Sequence, residues 1–210
     1  MADLALLIDT SVRGRGLVAV GAGDEVVAEW PVPGGVDTLQ AALAEALRLG
    51  GDGIGRVVVA RGPGSYIGVR SGLAAALGVA QGRGMPLHLV GSLAVVAARV
   101  DSGAAVLLAL RDAGRGGVLA QAFSGSGGSW EASSPSELLG RGAPWPRSWR
   151  DFRHLADPDA VAPPELAGDR ATMSRGDAAA LALLAVGAQG AGVPYDLLSA
   201  DYAIRVGAER

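Results

Sequence analysis

The sequence of 210 residues predicts an α/β protein built from two lobes. Short apolar runs rich in Val, Ile and Leu alternate with longer runs rich in Ala and Leu, as expected for buried strands alternating with helices. Half of the residues are apolar and 19% are charged, a balance typical of globular domains. A strand, a turn led by Asp and a second strand occur in this order twice, at Asp9 and at Asp112. This repetition indicates a duplicated lobe.

The first half of the chain predicts one complete lobe. In chain order it contains strands at Leu4–Asp9, Gly16–Val20 and Glu25–Trp30, a helix before Gly50-Gly51, a strand at Val57–Ala60, a helix from Ser71 to about Arg83, a strand at Leu87–Val90 and a helix at Ser92–Val100. Tight connections join the first three strands, which favours an antiparallel meander. Asp37 or Thr38 is expected to cap the first helix. The order β-β-β-α-β-α-β-α is that of a ribonuclease H-like lobe, the unit of the actin, Hsp70 and sugar-kinase (ASKHA) superfamily.

The second half predicts a smaller and less regular lobe. It contains strands at Leu107–Arg111 and Val118–Phe123, a helix at about Asp177–Gln189 and a tail at Asp201–Val206. Six prolines between residues 130 and 169 break any long element. We therefore predict an N-terminal lobe at residues 1–102 and a reduced C-terminal lobe at residues 103–210, with a Pro- and Trp-rich insertion at 130–169.

A glycine-rich turn joins the fourth strand to the second helix. Its sequence is Arg61-Gly62-Pro63-Gly64-Ser65-Tyr66-Ile67-Gly68-Val69-Arg70. Glycines and a helix N-terminus suit either an anion site or a tight structural turn, and the local chemistry leaves both open. The turn is not a Walker A loop, since the chain has no Lys, and its glycines do not have the dinucleotide-binding spacing.

Composition excludes several classes of function. The chain has no Cys and only two His, His88 and His154, so thiolate chemistry and a histidine-rich metal site are excluded. A net charge of −3 argues against a dominant nucleic-acid-binding face. No targeting signal is recognised, and glycines and Pro194 interrupt the longest uncharged run, Ala178–Tyr195. We expect a cytoplasmic protein that does not enter a membrane.

The glycine-rich turn and the helix after it resemble the signature of the TsaB (YeaZ) family. R-G-P-G-S-Y-I-G-V-R-S-G-L is similar to the family pattern R-G-P-G-S-F-T-G-V-R-x-G-L, with Tyr66 and Ile67 as the departures. The opening Ile8–Ser11 resembles the family's I-D-T-S strand. Leu110–Val118 resembles its D-A-R-R-G-E-V-Y segment, although Gly117 stands in place of Glu. Tyr202–Arg205 is similar to a terminal Y-L-R. The resemblance is strongest over residues 57–93.

This resemblance implies a non-catalytic subunit. TsaB proteins are partners of TsaD in forming the threonylcarbamoyl modification of adenosine 37 in tRNA, and the ATPase TsaE joins the assembly. By resemblance, the chain forms a homodimer alone, binds a TsaD-type transferase and reaches tRNA only through the complex. It needs no cofactor of its own, because ATP and metal are expected on the partner subunits.

Two helices are candidates for the partner surface. The second helix carries a stripe of small residues, flanked by leucines, and the first helix carries a leucine face. The candidates are Gly68, Gly72, Ala76 and Ala80, with Leu73 and Leu77, and Leu39, Leu43 and Leu47. Glycines cost helix propensity, so something should approach them closely. The two helices either pack within their own lobe or present an apolar face to another subunit, and the resemblance favours the second interpretation.

Catalytic alternatives remain open from the residues alone. Asp9, Thr10, Ser11 and Asp112 are candidates for a vestigial nucleotide site, and the alternative function is an ATP-dependent phosphotransferase or ATPase that uses Asp9 and Asp112. A hydrolase that uses Ser65 needs a base, and neither histidine has a supporting motif. Trp145 and Trp149 lie near three arginines, Arg147, Arg150 and Arg153. They suit either RNA stacking or the fixing of a loop-rich lobe to its core, and we favour the second.

Overall fold

The computed structural model describes residues 3–101, 105–114, 117–126, 129–140, 143–160, 162, 166–188, 190 and 192–195. Two five-stranded sheets form the framework of these residues, and α-helices pack against both sheets. The predicted boundary between residues 102 and 103 lies outside the described residues, as do the predicted tail Asp201–Val206 and part of the turn after Asp112.

The first sheet has the strand order β3-β2-β1-β4-β5. Its strands are β1 (Leu4–Asp9), β2 (Gly16–Ala22), β3 (Glu25–Val32), β4 (Ile54–Ala60) and β5 (Leu87–Val90). The first three strands are antiparallel neighbours, as the tight connections predicted. Strands β4 and β5 run parallel to β1, so the carboxyl ends of these three strands lie at one edge of the sheet.

Helices α1 (Val36–Gly50) and α2 (Tyr66–Arg83) cover one face of this sheet. Ile8 and Val59 of the strands are fully buried against Ala76 of α2 and against the other apolar residues of the same core. Complete burial of each large aliphatic side chain contributes about 1.5–3 kcal/mol. The two helices therefore belong to the core of their own lobe.

Both helices begin at positions that differ from the prediction. The N-cap of α1 is Gly35 and makes no side-chain cap, because Asp37 and Thr38 already lie in the first turn. The Thr38 hydroxyl donates a hydrogen bond of 2.6 Å back to the carbonyl of Gly34 instead of capping the helix, so the predicted cap is wrong.

Helix α2 begins at Tyr66, five residues before the predicted Ser71, because the preceding Ser65 acts as its N-cap. The Ser65 hydroxyl accepts a hydrogen bond of 3.4 Å from the backbone N–H of Gly68. This bond satisfies one of the unpaired donors at the start of the helix. The second half of the glycine-rich turn is therefore helical.

The second sheet repeats the arrangement of the first. Its order is β10-β6-β7-β8, and β9 also pairs with β7. Its strands are β6 (Val106–Gly114), β7 (Gly117–Ser126), β8 (Ser129–Ala132), β9 (Glu137–Leu139) and β10 (Arg153–Ala156). Strands β6 and β7 are antiparallel and β10 is parallel to β6, as β1, β2 and β4 are in the first sheet. The sheets thus share one strand arrangement, and the second sheet has shorter outer strands.

Helices α3 (Ser92–Ala98) and α4 (Asp177–Gly187) lie between the two sheets. Leu181 of α4 packs in one cluster with Leu7 of the first sheet, although α4 comes from the second half of the chain. Leu93 of α3 packs with residues of the second sheet. The two lobes therefore interlock through their helices.

The Pro- and Trp-rich insertion supplies β9, β10 and most of β8, and the residues around Trp149 cover the outer face of the second sheet. Trp149 is buried in a cluster with Leu108 and Leu110, and its ring meets that of Trp145 in a T-shaped contact with centroids 6.3 Å apart. This burial supports the interpretation that the tryptophans fix the insertion to its core. Arg147 and Arg150 remain exposed beside them.

The stripe of small residues on α2 faces the first sheet. Ala76 and Ala80 are fully buried. A methyl group at Gly68 or Gly72 would lie within 3.0 Å of Thr10, closer than real Cβ atoms come. The interpretation that the stripe itself contacts a partner is therefore corrected: what approaches the glycines closely is the turn after β1.

We predict opposite effects of alanine at two glycines of α2. Gly68→Ala should lower the free energy of unfolding by about 1–3 kcal/mol, because the new methyl group would overlap the Thr10 carbonyl. Gly78→Ala should raise it by up to about 1 kcal/mol, because nothing lies within 4 Å and alanine favours the helix. Urea unfolding measures both values. Equal changes in the free energy of unfolding of the two variants would contradict the close contact between Gly68 and Thr10.

Candidate functional site

The carboxyl ends of the parallel strands in the two sheets face each other across the lobes. Asp9 ends β1 of the first sheet, and Asp157 directly follows β10 of the second. Side chains from both positions reach one buried cluster, which also includes Arg111 of β6. In open α/β sheets, ligands bind at the carboxyl ends of the strands, so this is the candidate site.

The turn after β1 forms one wall of the site. One carboxylate oxygen of Asp9 accepts hydrogen bonds from the backbone N–H and the hydroxyl of Ser11, at 2.8 Å and 2.5 Å. Asp9, Thr10 and Ser11 are all buried. The structure therefore brings together three of the four predicted nucleotide-site residues.

Arg111 joins this wall to the second lobe. Its Nη1 donates to the Ser11 hydroxyl at 2.6 Å, and its Nε donates to Asp157 at 2.7 Å. The side chains of Arg111 and Asp157 are 2% and 1% exposed. A charge-assisted hydrogen bond between such buried groups is stronger than a surface ion pair, and removal of one partner leaves an uncompensated charge.

Two further arginines surround Asp157. Arg99, which directly follows α3, donates from Nη1 to the second oxygen of Asp157 at 2.5 Å and lies 3.3 Å from Asp177 at the start of α4. The Nη2 atom of Arg15 is 3.9 Å from Asp157. We call this group the interlobe cluster; it consists of Asp9, Ser11, Arg15, Arg99, Arg111, Asp157 and Asp177.

The fold shifts the pKa of Asp177, a member of this cluster. Burial raises the pKa of its carboxyl above the ordinary aspartate range, and the negative charges of Asp157 and Asp9 act in the same direction. The guanidiniums of Arg99 and Arg111 oppose this rise in pKa. The net rise means that the folded chain penalises the ionised form of Asp177.

Asp112 lies outside the interlobe cluster. It is exposed, whereas its neighbour Arg111 is buried. Successive side chains of a strand point to opposite faces, so only Arg111 is directed toward Ser11. The prediction that Asp112 shares a nucleotide site with Asp9 is corrected on this geometry.

The glycine-rich turn supports the cluster from outside. The backbone N–H of Ser65 donates to the Ser11 carbonyl at 2.7 Å, and the Thr10 hydroxyl donates to the Gly68 carbonyl at 2.7 Å. A Cβ at Gly64 would also lie within 3.0 Å of Ser11. Of the two interpretations of this turn, these contacts support a tight structural turn.

The first residues of the glycine-rich turn contact the segment between β5 and α3. Arg61 N–H donates to the Val90 carbonyl at 2.9 Å, and the Gly62 carbonyl accepts from Ser92 at 2.8 Å, so the turn is also tied to the segment between β5 and α3. Pro63 is buried beside them.

The start of α2 exposes an apolar patch. Ile67 is 75% exposed and Tyr66 is 53% exposed, and the guanidinium of Arg70 lies over the Tyr66 ring at 4.1 Å from its centroid. Val36, at the start of α1, is 59% exposed. The starts of both helices thus expose apolar side chains to solvent.

The predicted partner leucines divide into two groups. Leu39 and Leu73 are buried in the lobe core, whereas Leu43, Leu47 and Leu77 are half-buried at its margin. Partner binding by the half-buried leucines remains a prediction. The buried pair supports α1 and α2 from within.

The two histidines lie apart from Ser65 in the described hydrogen-bond network. Ser65 caps α2 and, within the described residues, has no histidine hydrogen-bond partner. Burial and the charge of Arg56 lower the pKa of His88 on β5. Burial is also the largest cause of the lowered pKa of His154 on β10. Both are packed strand residues.

Metal and membrane sites are absent from the described part of the chain. No three His, Cys, Asp or Glu side chains there are grouped to hold a metal ion. Of the helices over the same residues, none has both the length and the apolarity to span a bilayer.

Sequence reasoning missed five residues of the interlobe cluster: Arg15, Arg99, Arg111, Asp157 and Asp177. The available signal was a charged residue directly after an apolar run, as at Asp157 after Leu155-Ala156. Such a charge is buried only if a partner meets it, and the partners here are 46 or more positions away.

Comparison with known proteins identifies one family and one fold. The sequence profile described as "TsaD: tRNA N6-adenosine threonylcarbamoyltransferase" matches residues 36–142, just over half of the chain. YeaZ from Pseudomonas aeruginosa matches with a TM-score of 0.73 and 20% identity, covering 95% of this chain and 99% of its own. A second structure, an uncharacterized protein with similarity to peptidase YEAZ from Pseudomonas aeruginosa, has a TM-score of 0.69, 20% identity and coverages of 96% and 100%.

No curated protein gives a significant match. At 20% identity the two structural matches establish the fold alone. They confirm the prediction of a two-lobed α/β protein of the ASKHA type and the resemblance to YeaZ.

We predict that Arg111 contributes far more to stability than an exposed arginine. Arg111→Met should lower the free energy of unfolding by about 3 kcal/mol, because Asp157 loses a buried charged partner. Arg48→Met should change it by less than about 0.5 kcal/mol, since the Arg48–Glu45 pair is exposed. Urea titration compares the variants. Similar losses would show that the cluster does not hold the lobes together.

We also predict an unusual pH dependence for Asp177. Its pKa is raised in the folded state, so the folded chain keeps the proton at pH values at which the unfolded chain has lost it. The free energy of unfolding of the wild type, relative to Asp177→Asn, should therefore fall as pH rises from the ordinary aspartate pKa through the raised one, then level off. Urea unfolding of both proteins between pH 4 and pH 7 tests this. A difference that rises with pH would contradict the sign.

Proposed function

Because this chain belongs to the family of TsaD, tRNA N6-adenosine threonylcarbamoyltransferase, and has the YeaZ fold, we propose that it is a non-catalytic partner subunit. It binds and supports a TsaD-type transferase that forms N6-threonylcarbamoyladenosine at position 37 of tRNA. A TsaE-type ATPase joins the assembly, which acts in the cytoplasm. ATP and metal belong to the partner subunits, and tRNA is reached through the complex.

The interlobe cluster is the observation that carries this proposal. Arg111 connects Ser11 of the first lobe with Asp157 of the second through two short hydrogen bonds, and the atoms involved are buried. A nucleotide between the lobes would have to displace these groups. The residues present therefore do not fit a bound nucleotide in this position, which favours a supporting role over phosphoryl transfer.

Metal-dependent chemistry is likewise assigned to the partner. TsaD-type proteins carry an H-x-x-x-H helix for their metal, and the two histidines of this chain, His88 and His154, lie on separate strands. Their lowered pKa values reflect burial rather than an arrangement for catalysis.

The patch at the start of α2 supports a partner surface on this face of the first lobe. Tyr66 and Ile67 offer exposed apolar area within the helical half of the glycine-rich turn. Apolar and aromatic side chains of this kind provide most of the binding energy in protein interfaces. We propose that this face binds the transferase and, in its absence, a second copy of the chain.

Size-exclusion chromatography with light scattering tests the proposal. The chain and the TsaD-type protein of its own organism should form a stable complex, and the mixture should transfer threonylcarbamoyl to tRNA. Ile67→Glu should weaken the complex at least tenfold, about 1.4 kcal/mol, because a charge would be buried in the interface. Leu138→Glu, at a residue 44% exposed on β9 of the other lobe, is the control.

Three outcomes would reject the proposal. The first is the absence of any complex, and the second is equal binding of the TsaD-type protein by the Ile67→Glu and Leu138→Glu variants. The third is micromolar binding of Mg-ATP by the isolated chain in calorimetric titration, lost in a folded Asp9→Asn variant. That result would favour the alternative of an active phosphotransferase.

A further inference from the structure

Asp157 occupies the centre of a cradle of guanidinium groups. Its two oxygens accept hydrogen bonds from Arg99 and Arg111 at 2.5 Å and 2.7 Å, and Arg15 approaches to 3.9 Å. The Asp157 side chain is 1% exposed. Three arginines around one buried carboxylate form the kind of arrangement that proteins use to bind carboxylate and phosphate anions.

The arginines of the cradle carry more hydrogen-bond donors than the two carboxylate oxygens of Asp157 accept. Nε of Arg99 and Nη2 of Arg111 are buried and have no hydrogen-bond partner among the described residues. Both side chains are at least nine-tenths buried. A carboxylate provides two oxygens, whereas a phosphate provides up to four, and unpaired buried donors are costly. The geometry is therefore suited to an oxyanion with at least as many acceptors as Asp157.

Asp157 is held at this position by the backbone of the second lobe. Its N–H donates to the Leu110 carbonyl at 3.0 Å, and its carbonyl accepts from Ala160 at 2.9 Å. The side chain thus projects from the end of β10 toward Arg99 and the first lobe. It lies at the carboxyl ends of the strands, where a ligand would bind in an open α/β sheet.

The charge balance depends on Asp157. Among the groups that are at least nine-tenths buried, the carboxylates of Asp9 and Asp157 balance the guanidiniums of Arg99 and Arg111. Asp177 and Arg15 are half-buried, and Arg15 also pairs with the exposed Asp159 at 3.2 Å. Removal of the Asp157 carboxylate leaves an excess positive charge in a region shielded from water. Uptake of one anion would restore the balance.

We propose that this interlobe cradle is an oxyanion-binding site that the chain fills with its own Asp157. The carboxylate takes the place of a bound anion, carboxylate or phosphate, and closes the lobes without a ligand. Without Asp157, the same cradle takes up a free oxyanion. This inference concerns the cleft and does not depend on the proposed partner surface on α2.

Chemical rescue of Asp157→Ala tests the proposal. The variant should melt roughly 10 °C below the wild type, since a buried charged partner is lost. Sodium formate replaces the missing carboxylate and should recover at least half of that loss in a saturable manner, whereas sodium chloride at equal ionic strength should not. Sodium phosphate should also recover it. Comparison of the two half-saturating concentrations identifies the preferred oxyanion.

Three controls show whether the recovery comes from the cradle. Wild type should gain no formate-specific stability, because its site is already filled. Asp159→Ala removes an exposed carboxylate two positions further along, which contacts Arg15 but not Arg99 or Arg111, and it should show no recovery specific to formate. Recovery of Asp157→Ala should disappear when Arg111→Met is added, because one wall of the cradle is then missing.

Several results would overturn the proposal. One is that formate and phosphate raise the melting temperature of Asp157→Ala no more than chloride does. Another is that Asp157→Ala is as stable as wild type. A third is that formate raises the melting temperature of the Asp159→Ala control equally. If Asp157→Ala does not fold in ordinary buffer, the variant is refolded from urea in formate and in chloride. Folding in formate alone supports the proposal, and failure in both overturns it.

Discussion

The two hydrogen bonds of Arg111 fix the relative position of the lobes. A buried guanidinium is stable only if acceptors meet it, and here one acceptor comes from each lobe: the Ser11 hydroxyl and the Asp157 carboxylate. Ser11 is in turn held by Asp9, and Asp157 is shared with Arg99 beside α3. Each contact therefore requires the others. The turn after β1, the edge of the second sheet and the ends of α3 and α4 consequently form one rigid centre.

The glycine-rich turn connects this centre to the start of α2. Its glycines allow the backbone of Ser65 to reach Ser11 and the start of α2 to reach Thr10, contacts that a Cβ at Gly64 or Gly68 would prevent. The residues that most resemble the TsaB signature thus have a packing role in this chain. The tight turn allows strand β1 and helix α2 to meet at backbone distance.

Sequence patterns predicted the elements of this fold better than their contacts. Apolar runs such as Val57–Ala60 and Leu107–Arg111 identify strands because their burial follows from local composition. The small stripe on α2 was recognised as a close-contact surface, but the sequence could not show that Thr10 is the neighbour. Asp157 was missed for the same reason, since its burial depends on Arg99 and Arg111, which are distant in sequence. The repeat points to Asp112 and not to Arg111, because it gives the position of the turn but not the face of the strand on which each side chain lies.

The same short segment connects the interior of the cleft with the exposed face of the first lobe. On the inner side, Ser65 and Gly68 contact the β1 turn that carries Asp9 and Ser11; on the outer side, the adjoining Tyr66 and Ile67 are exposed. The first turn of α2 is therefore held by contacts to the interlobe cluster. The buried contacts between charged groups of the two lobes thus hold this turn through Ser11. A protein whose role is to present a binding face to another subunit requires a turn held in this way, whereas an enzyme that opens and closes around a nucleotide does not.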